Sequence, residues 1–228
     1  MHIMATSQQP KTEEPIALDV QLNKSEAFIE KNWKKIAIII GAVIVIVTGF
    51  YIYKNQMADK ELDAQKAIAI AQVAFAQEQY EQALNGDGNS KGFVKIINEY
   101  SGTKTANLAK LYAGLSYAKT DKVDEAIKYL EDFSTQDDDI VSPSAIAALG
   151  NLYIQKGDNE KGIKTLIEAA DKANNDAVSP VFLLQAGQVY ESMNQSDKAV
   201  ELYNTIKTKY FRSPVAQEID KYIERATK

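Results

Sequence analysis

The sequence predicts an all-α protein in which one membrane-spanning helix precedes an α-solenoid of paired helices. Three observations predict this fold class. Residues 36–53 form a strongly apolar run without a charge. The stretch from residue 50 to residue 85 contains neither Gly nor Pro and is rich in Ala, which favours a helix. Farther on, three Ser-Pro pairs recur at intervals of 37 and 34 residues, which indicates a repeated helical unit.

Composition narrows the functions open to the chain. Its 228 residues include no cysteine, one histidine (His2) and a formal net charge of −5. The lack of a basic excess argues against nucleic-acid binding, because phosphates are neutralised by Lys and Arg. Without Cys, and with its histidine in the N-terminal tail, the repeat region lacks the residues for a His-based catalytic set or a thiolate metal site. We therefore expect no enzyme activity, no cofactor and no metal.

The apolar run fits a permanent membrane anchor. Eighteen helical residues extend about 27 Å, close to the roughly 30 Å hydrocarbon core of a bilayer. Eleven of the 18 are Ile, Val or Phe, which together favour insertion by about 3 to 6 kcal/mol. Aromatic and basic residues lie at both ends of the run, where interfacial anchors belong. They are Trp33, Lys34, Lys35, Tyr51 and Tyr53.

Two alternatives explain the run less well. A cleaved signal peptide has an apolar stretch of roughly 7 to 15 residues near the N-terminus and a small-x-small cleavage site. Here 35 residues come first, and the segment TGFYIYKNQ contains no such site. A buried core helix would show a polar face, and this run has none.

A weak charge bias predicts the orientation of the span. Four Lys lie in the 20 residues before it and three in the 20 residues after it, so the positive-inside rule favours a cytoplasmic tail. We expect a short, partly disordered tail at 1–34, a transmembrane helix at 35–54 and a repeat domain at 55–228 outside the cytoplasm.

The Ser-Pro pairs predict where helices begin. Ser at the N-cap accepts a free backbone N–H, and Pro at the next position has no N–H to satisfy. The pairs start at Ser142, Ser179 and Ser213, and Thr105 occupies the corresponding place one unit earlier. The predicted layout is a degenerate opening unit at 60–100, repeats at about 105–139, 142–175 and 179–211, and a solvating cap helix at 213–227.

Within each repeat, small and large residues alternate in a way that predicts two closely packed helices. A Gly precedes a Tyr by three residues, a small residue lies twelve positions beyond that Gly, and a large residue lies four beyond the small one. Polar turns separate the two halves. The four residues are Gly114, Tyr117, Ala126 and Leu130 in the first unit, Gly150, Tyr153, Gly162 and Leu166 in the second, and Gly187, Tyr190, Ala199 and Tyr203 in the third.

These residues resemble the tetratricopeptide repeat, whose positions 8, 11, 20 and 24 they match. The Trp usual at position 4 is missing. The resemblance implies a tetratricopeptide-repeat-like α-solenoid whose first helices line a groove with positions 2, 5, 9 and 12. Those positions are Leu108, Leu111, Leu115 and Ala118, then Ser144, Ala147, Asn151 and Ile154, then Val181, Leu184, Gln188 and Glu191.

From this register the candidate protein-binding residues are Leu108, Leu111, Leu115, Ser144, Asn151, Val181 and Gln188. The Lys and Arg clamp with which some arrays grip a peptide carboxylate is absent, so an apolar helix or an unfolded segment suits the groove better. The alternative is that the leucines pack against the opening helices and leave no free groove.

Two polar motifs favour ordinary loops. NGDGNSKG at 85–92 follows a helix, not the strand that a phosphate loop needs, and as a calcium loop it has Lys91 and Asn98 where ligands belong. We expect a turn there. The DDD motif at 137–139 lacks partner ligands and is expected to be a solvated loop.

The order of tail, span and helix pairs resembles the bacterial YfgM-like family, the ancillary subunit of the SecYEG translocon. The stretches ALNGDGNSKGF and TKTANLAKLYAGLSYAKTDKVDEAIKYLEDF carry the likeness, which covers about residues 23–228. The resemblance implies a single-pass inner-membrane protein with periplasmic repeats that bind the translocon and periplasmic chaperones. Two alternatives stay open: a scaffold for another envelope or cell-division complex, or a regulator that sequesters a soluble factor. The oligomeric state is not predicted.

Overall fold

A computed structural model describes the backbone of residues 17–228 and the side chains from residue 26 onward. The disorder expected in the tail falls largely on residues outside this range. The described chain is mostly helical, with short loops between the helices. Its helices are α1 (Ala17–Ala76), α2 (Tyr80–Asn85), α3 (Phe93–Glu99), α4 (Lys104–Lys119), α5 (Val123–Glu131), α6 (Val141–Gln155), α7 (Asn159–Ala173), α8 (Ser179–Ser192), α9 (Ser196–Lys209) and α10 (Pro214–Ala226).

The chain divides into two compact units, Met1–Gln56 and Met57–Lys228. The described part of the first unit belongs to helix α1. This helix is long and apolar enough to cross a membrane: its most apolar 18-residue window has a mean hydropathy of 2.6, and none of that window is buried. Among the flanking residues, Trp33, Tyr51 and Tyr53 are all more than half exposed.

Helix α1 ends earlier than the sequence predicts. We expected it to continue through Leu84, because no Gly or Pro interrupts it. Instead Glu78 adopts a left-handed conformation with φ of 60°, and the N–H of Gln79 donates to the carbonyl of Ala74 at 2.9 Å. The turn lets α2 fold back so that Ala83 and Leu84 are fully buried. That burial outweighs the roughly 1 to 2 kcal/mol cost of a left-handed residue other than Gly.

The turn inside each predicted repeat has the same geometry. Asp121, Gly157 and Asn194 occupy the left-handed region with φ of 57°, 88° and 57°. In each turn the next N–H reaches back to the carbonyl of the repeat's tyrosine, and all three N···O distances are 2.9 Å. This bond satisfies a free carbonyl at the end of the first helix. The three residues are spaced like the repeat glycines, so the turn is part of the repeat.

The glycines lie where paired helices cross closely, and this prediction is confirmed. A Cβ added at Gly150 would lie 3.0 Å from the carbonyl oxygen of Gly162, and one at Gly187 would lie 2.3 Å from Cε1 of Tyr203. Ala126 and Ala199 on the second helices are fully buried. The small residues therefore permit a backbone approach that any larger side chain would prevent.

The predicted helix start is correct at Ser213, where the side chain accepts a hydrogen bond from the N–H of Ala216 at 3.1 Å. It is wrong at Ser142 and Ser179, which lie within α6 and α8. Both residues are fully buried, and their hydroxyls accept hydrogen bonds from the preceding loops instead, from Gln136 and Asn175. Ser179 donates to the carbonyl of Ala170 at 2.7 Å, and Ser142 accepts from the N–H of Gln136 at 2.7 Å.

The first matched unit departs from the prediction in the same way. The N-cap of α4 is Thr103, whose side chain accepts from the N–H of Ala106 at 3.0 Å. Thr105, the expected start, instead donates its hydroxyl to Oε1 of Glu61 at 2.7 Å, and its N–H donates to Oε2 at 3.2 Å. The carboxylate of α1 therefore supports the first turn of α4, where a negative charge is favourable.

Asp138 is more than part of a solvated loop, which corrects the expectation for the DDD motif. Its carboxylate accepts hydrogen bonds from the N–H groups of Ile140, Val141 and Ser142 and from the hydroxyl of Ser142, at 2.5 to 3.2 Å. Burial by itself would raise the pKa of Asp138, but these hydrogen bonds outweigh it and hold the pKa below its usual range. Asp138 thus caps the N-terminus of α6 from outside the helix.

Candidate protein-interaction surface

The predicted groove lies on the first helix of each pair, α4, α6 and α8. We call the surface formed by repeat positions 2, 5, 9 and 12 of these helices the groove face. The seven candidate residues differ in exposure. The three leucines of α4 pack inward to different degrees, whereas Asn151 and Gln188 on α6 and α8 are exposed to solvent.

The leucines belong largely to the core. Leu111 is only 8% exposed and packs in a cluster with Leu130, Phe133 and residues of α6. Leu108 is half-buried and contacts two clusters, the one around Leu111 and the one formed by the opening helices. Leu115 is half-buried against the cluster around Leu111. The burial of Leu111 is against α5 and α6, and of the three leucines only Leu108 also contacts the opening helices that the alternative names.

The middle of the groove face is polar and neutral. The amide of Asn151 on α6 donates to Oε1 of Gln185 on α8 at 3.3 Å. Ser144 is half-buried, as is Val181, which packs against the C-terminal core. Exposed amides with neighbouring apolar groups can bind a peptide backbone without requiring a charge on it.

The C-terminal end of the groove face contains a surface cavity of about 270 Å³ between α8 and α10. Its lining consists of Leu184, Pro214, Val215, Glu218 and Tyr222. Sequence reasoning gave Leu184 a groove position but treated α10 only as a solvating cap. The sequence does contain a signal for a groove role of α10. Ser213-Pro214 aligns α10 with the earlier first helices, so that Val215, Glu218 and Tyr222 occupy groove positions 2, 5 and 9.

A polar network holds α10 in place beside this cavity. Tyr203 of α9 is fully buried, and its hydroxyl donates to Oε2 of Glu191 on α8 at 2.9 Å. The guanidinium of Arg225 on α10 donates to both oxygens of the same carboxylate. Burial, and then the bond to Glu191, raises the pKa of Tyr203 well above its usual range. Glu191, predicted at groove position 12, is therefore engaged in joining three helices.

The polar motifs outside the groove face also have structural partners. Asp87 in NGDGNSKG accepts hydrogen bonds from the N–H groups of Asn89 and Ser90 and from the Ser90 hydroxyl, at 2.7 to 2.9 Å. These bonds, with the hydroxyl contributing most, lower the pKa of Asp87. Within residues 26–228, no three His, Cys, Asp or Glu side chains come together as a metal site requires.

Comparison with known proteins shows the family. The sequence profile of the tetratricopeptide repeat-like domain family matches residues 26–210. The chain belongs to this family. A search of curated proteins finds no significant match to the chain.

Solved structures support the same fold. The nearly identical TPR-like repeats of a kinesin light chain from Podosopora anserina align with a TM-score of 0.55 at 14% identity, covering 71% of this chain and 84% of that one. The structure of MamA aligns with a TM-score of 0.39 at 22% identity, covering 59% and 86%. The first likeness establishes a TPR-like solenoid, and the second is too distant to support an argument. The family is typically a non-catalytic scaffold for protein interactions, so the chain is expected to bind protein partners.

Proposed function

We propose that this protein is a membrane-anchored protein-interaction scaffold that assists the Sec translocon and links it to periplasmic chaperones for exported proteins. In this proposal residues 1–34 form a cytoplasmic tail, residues 35–54 cross the inner membrane once, and residues 55–228 form the periplasmic repeat domain. The candidate binding residues are the exposed part of the groove face together with the cavity between α8 and α10.

The observation that carries the proposal is the exposure of the apolar window in α1. Many apolar side chains of the repeat domain pack in three buried clusters, whereas Ile38, Val45 and Ile46 are 70 to 72% exposed. Leaving such side chains in water is unfavourable by roughly 25 cal/mol for each Å² of apolar surface. A bilayer removes that cost, and the basic and aromatic flanks Trp33, Lys34 and Lys35 suit its interface.

The partner assignment rests on the family resemblance and on the chemistry of the groove. An exported chain in transit exposes apolar segments, and the cavity lined by Leu184, Val215 and Tyr222 offers them an apolar site with a neutral polar surface beside it. The absence of a cationic clamp at the groove positions argues against partners that are recognised through an acidic terminus.

Two experiments test the anchor and its orientation. The full-length protein should remain in membranes after alkaline carbonate washing, and release of a shortened soluble chain would overturn the anchor. Protease added to spheroplasts should digest the repeats and spare the tail. Protection of the repeats would reverse the orientation and exclude the periplasmic role.

A crosslinking experiment tests the partner. A photoreactive residue replacing Gln188, on the groove face, should capture SecY or a periplasmic chaperone in intact cells, and the same residue replacing the exposed Glu168 of α7 serves as the matched control. Tyr222→Ser should reduce capture at position 188 without changing helicity. Capture of division proteins or a soluble regulator alone would favour one of the alternative functions.

A further inference from the structure

A surface cavity of about 430 Å³ lies between α7, the end of α8 and the start of α9. Apolar side chains of α7 contribute to its lining, among them Ile163, which is only 2% exposed. Tyr190 and Met193 line it from the end of α8. No residue of the groove face belongs to this lining. We call it the α7–α9 cavity, and it is separate from the binding surface of the proposed function.

Ion pairs close the corresponding places at the two earlier turns between paired helices. At each of these turns a lysine reaches back to a carboxylate in the first turn of a preceding helix. Lys122 pairs with Glu81 of α2, and Lys156 pairs with Asp124 of α5, both with Nζ and the carboxylate oxygen 2.7 Å apart. Each lysine therefore fills the space between its turn and the earlier helix.

The third turn lacks such a lysine. The residues at the same distances from the repeat glycine are Met193 and Gln195. Glu160, in the first turn of α7, corresponds to Asp124, but it forms no ion pair within residues 26–228. Glu160, Met193 and Gln195 all line the α7–α9 cavity. The cavity thus lies where the repeated ion pair is missing.

Gln195 has an acceptor atom without a donor. Its Oε1 is buried and has no hydrogen-bond partner, and among the described side chains no other buried N or O atom lacks one. A buried acceptor without a donor is unfavourable. Rotation about the last bond of this long side chain can turn the amide toward the cavity. A ligand with an N–H group in the cavity would therefore supply the missing hydrogen bond.

Another side-chain amide of this chain shows what such a group binds. Asn107 donates from Nδ2 to the carbonyl of Ser134 at 2.7 Å, and its Oδ1 accepts from the N–H of the same residue at 2.8 Å. One amide thus binds both polar groups of a loop residue. The same pairing at Gln195 would bind the backbone of a peptide whose apolar side chain covers Ile163 and Met193.

The charges of the lining favour an acidic peptide. Lys164 of α7 and Lys198 of α9 are exposed, and neither forms an ion pair within the described chain. Nζ of Lys198 lies 5.3 Å from the centroid of the Tyr190 ring, beside the apolar lining. Glu160 is the one carboxylate in the lining, so two lysines against one glutamate leave one positive charge. This excess attracts a carboxylate and disfavours an added cation.

We propose that the α7–α9 cavity binds an extended peptide segment in which an apolar side chain lies next to an acidic one. The apolar side chain packs on Ile163 and Met193. The amide of Gln195 binds the peptide backbone, and Lys164 and Lys198 attract the acid. The inference goes beyond the proposed function, because it adds a second binding site to the repeats. It depends on neither the membrane anchor nor the translocon and chaperone assignment.

Methionine NMR of the full-length protein in nonionic detergent tests the proposal. The chain has four methionines, and the isotope-labelled ε-methyl group of Met193 reports on the cavity; Met193→Leu identifies its signal. The probes are acetylated and amidated peptides in which a Leu lies between two Glu, two Gln or two Lys within a Gly-Ser frame. The acidic peptide should shift the Met193 signal saturably and bind tightest, the basic peptide should bind weakest, and the Met57 signal should stay unchanged.

Matched variants separate the contributions to binding of the acidic peptide. Lys164→Gln should weaken its affinity about threefold, and Gln195→Ala should weaken it about fivefold. Glu160→Gln should strengthen it about twofold, because the one carboxylate of the lining is removed. Lys172→Gln replaces an exposed lysine of α7 outside the cavity and should change nothing. Circular dichroism should show equal helicity for all four, which excludes unfolding as the cause.

Four results would overturn the proposal. The first is a Met193 signal that no peptide shifts, and the second is unchanged affinity in both Lys164→Gln and Gln195→Ala. The third is a basic peptide that binds at least as tightly as the acidic one, which would assign the cavity to a cation in the place of the missing lysine. The fourth is loss of binding in Tyr222→Ser, which would place the peptide on the groove face. Carbonate extraction and capture at Gln188 report on the proposed function separately, so its failure is distinguishable from failure of this site.

Discussion

Replacing Gly187 by Ala tests the close crossing of α8 and α9. The added Cβ would lie 2.3 Å from Cε1, 2.8 Å from Cζ and 3.0 Å from Cδ1 of Tyr203. The tyrosine ring has little freedom to retreat, because it is fully buried and its hydroxyl donates to Glu191 at 2.9 Å. Either the two helices separate or the ring moves and weakens this hydrogen bond.

The expected change in the free energy of unfolding combines two destabilising contributions and one stabilising contribution. Overpacking a filled core costs about 1 to 3 kcal/mol, and weakening a hydrogen bond to a carboxylate adds up to about 1.5 kcal/mol. Ala in place of Gly inside a helix stabilises the helix by about 1 kcal/mol. We expect Gly187→Ala to lower the free energy of unfolding by about 2 kcal/mol, which corresponds to about 4 to 8 °C in Tm for a chain of this size.

The assay is urea unfolding of the full-length protein in detergent, followed by far-UV circular dichroism. Gly88→Ala is the control, because an added Cβ there has nothing within 4 Å, and its effect should stay below about 0.5 kcal/mol. In a Tyr203→Val background the ring atoms are gone, so Gly187→Ala should cost little or nothing. If the two changes add within about 0.5 kcal/mol, the contact does not restrain the crossing and the reasoning is refuted.

Three further predictions concern polar contacts and the core. Asp138→Asn should lower the free energy of unfolding at pH 7 by about 0.5 to 2 kcal/mol. Because the folded pKa of Asp138 lies below its unfolded value of about 3.9, this stabilisation is present above that value and is lost as pH falls through the folded pKa. The difference between the two proteins in urea titrations should therefore shrink as the pH falls below about 3.9. In the same assay Leu111→Ala should lower the free energy of unfolding by about 2 to 5 kcal/mol, and Asn151→Ala by under about 0.5 kcal/mol. A small effect at Leu111 would indicate that its side chain belongs to the groove and not to the core. Glu61→Gln should speed hydrogen exchange at the Thr105 amide, which donates to the Glu61 carboxylate at 3.2 Å, and unchanged exchange would show that α1 does not support the start of α4.

The features that are predictable from the sequence are those that depend on neighbouring residues. The apolar run stands out because every residue from 36 to 53 contributes to one local average. The helix pairs stand out because a close crossing needs small residues at fixed intervals, as at Gly150 and Gly162, and no distant contact can replace that requirement. The polar turns between paired helices are also predictable from the sequence, but the left-handed residue within each turn is not.

The hydrogen-bond partners at the helix ends and the exposed faces of the helices depend on packing between remote parts of the chain. The sequence predicts a solvated Asp138, but in the structure its carboxylate accepts a hydrogen bond from the Ser142 hydroxyl at the start of α6. That hydroxyl in turn accepts from the N–H of Gln136 in the same loop. Leu111 and Val73 are both apolar residues on helices, but one is 8% exposed and the other 56%. A local pattern shows that a face is apolar, whereas burial depends on whether a remote part of the chain covers it, and only the packed structure fixes that.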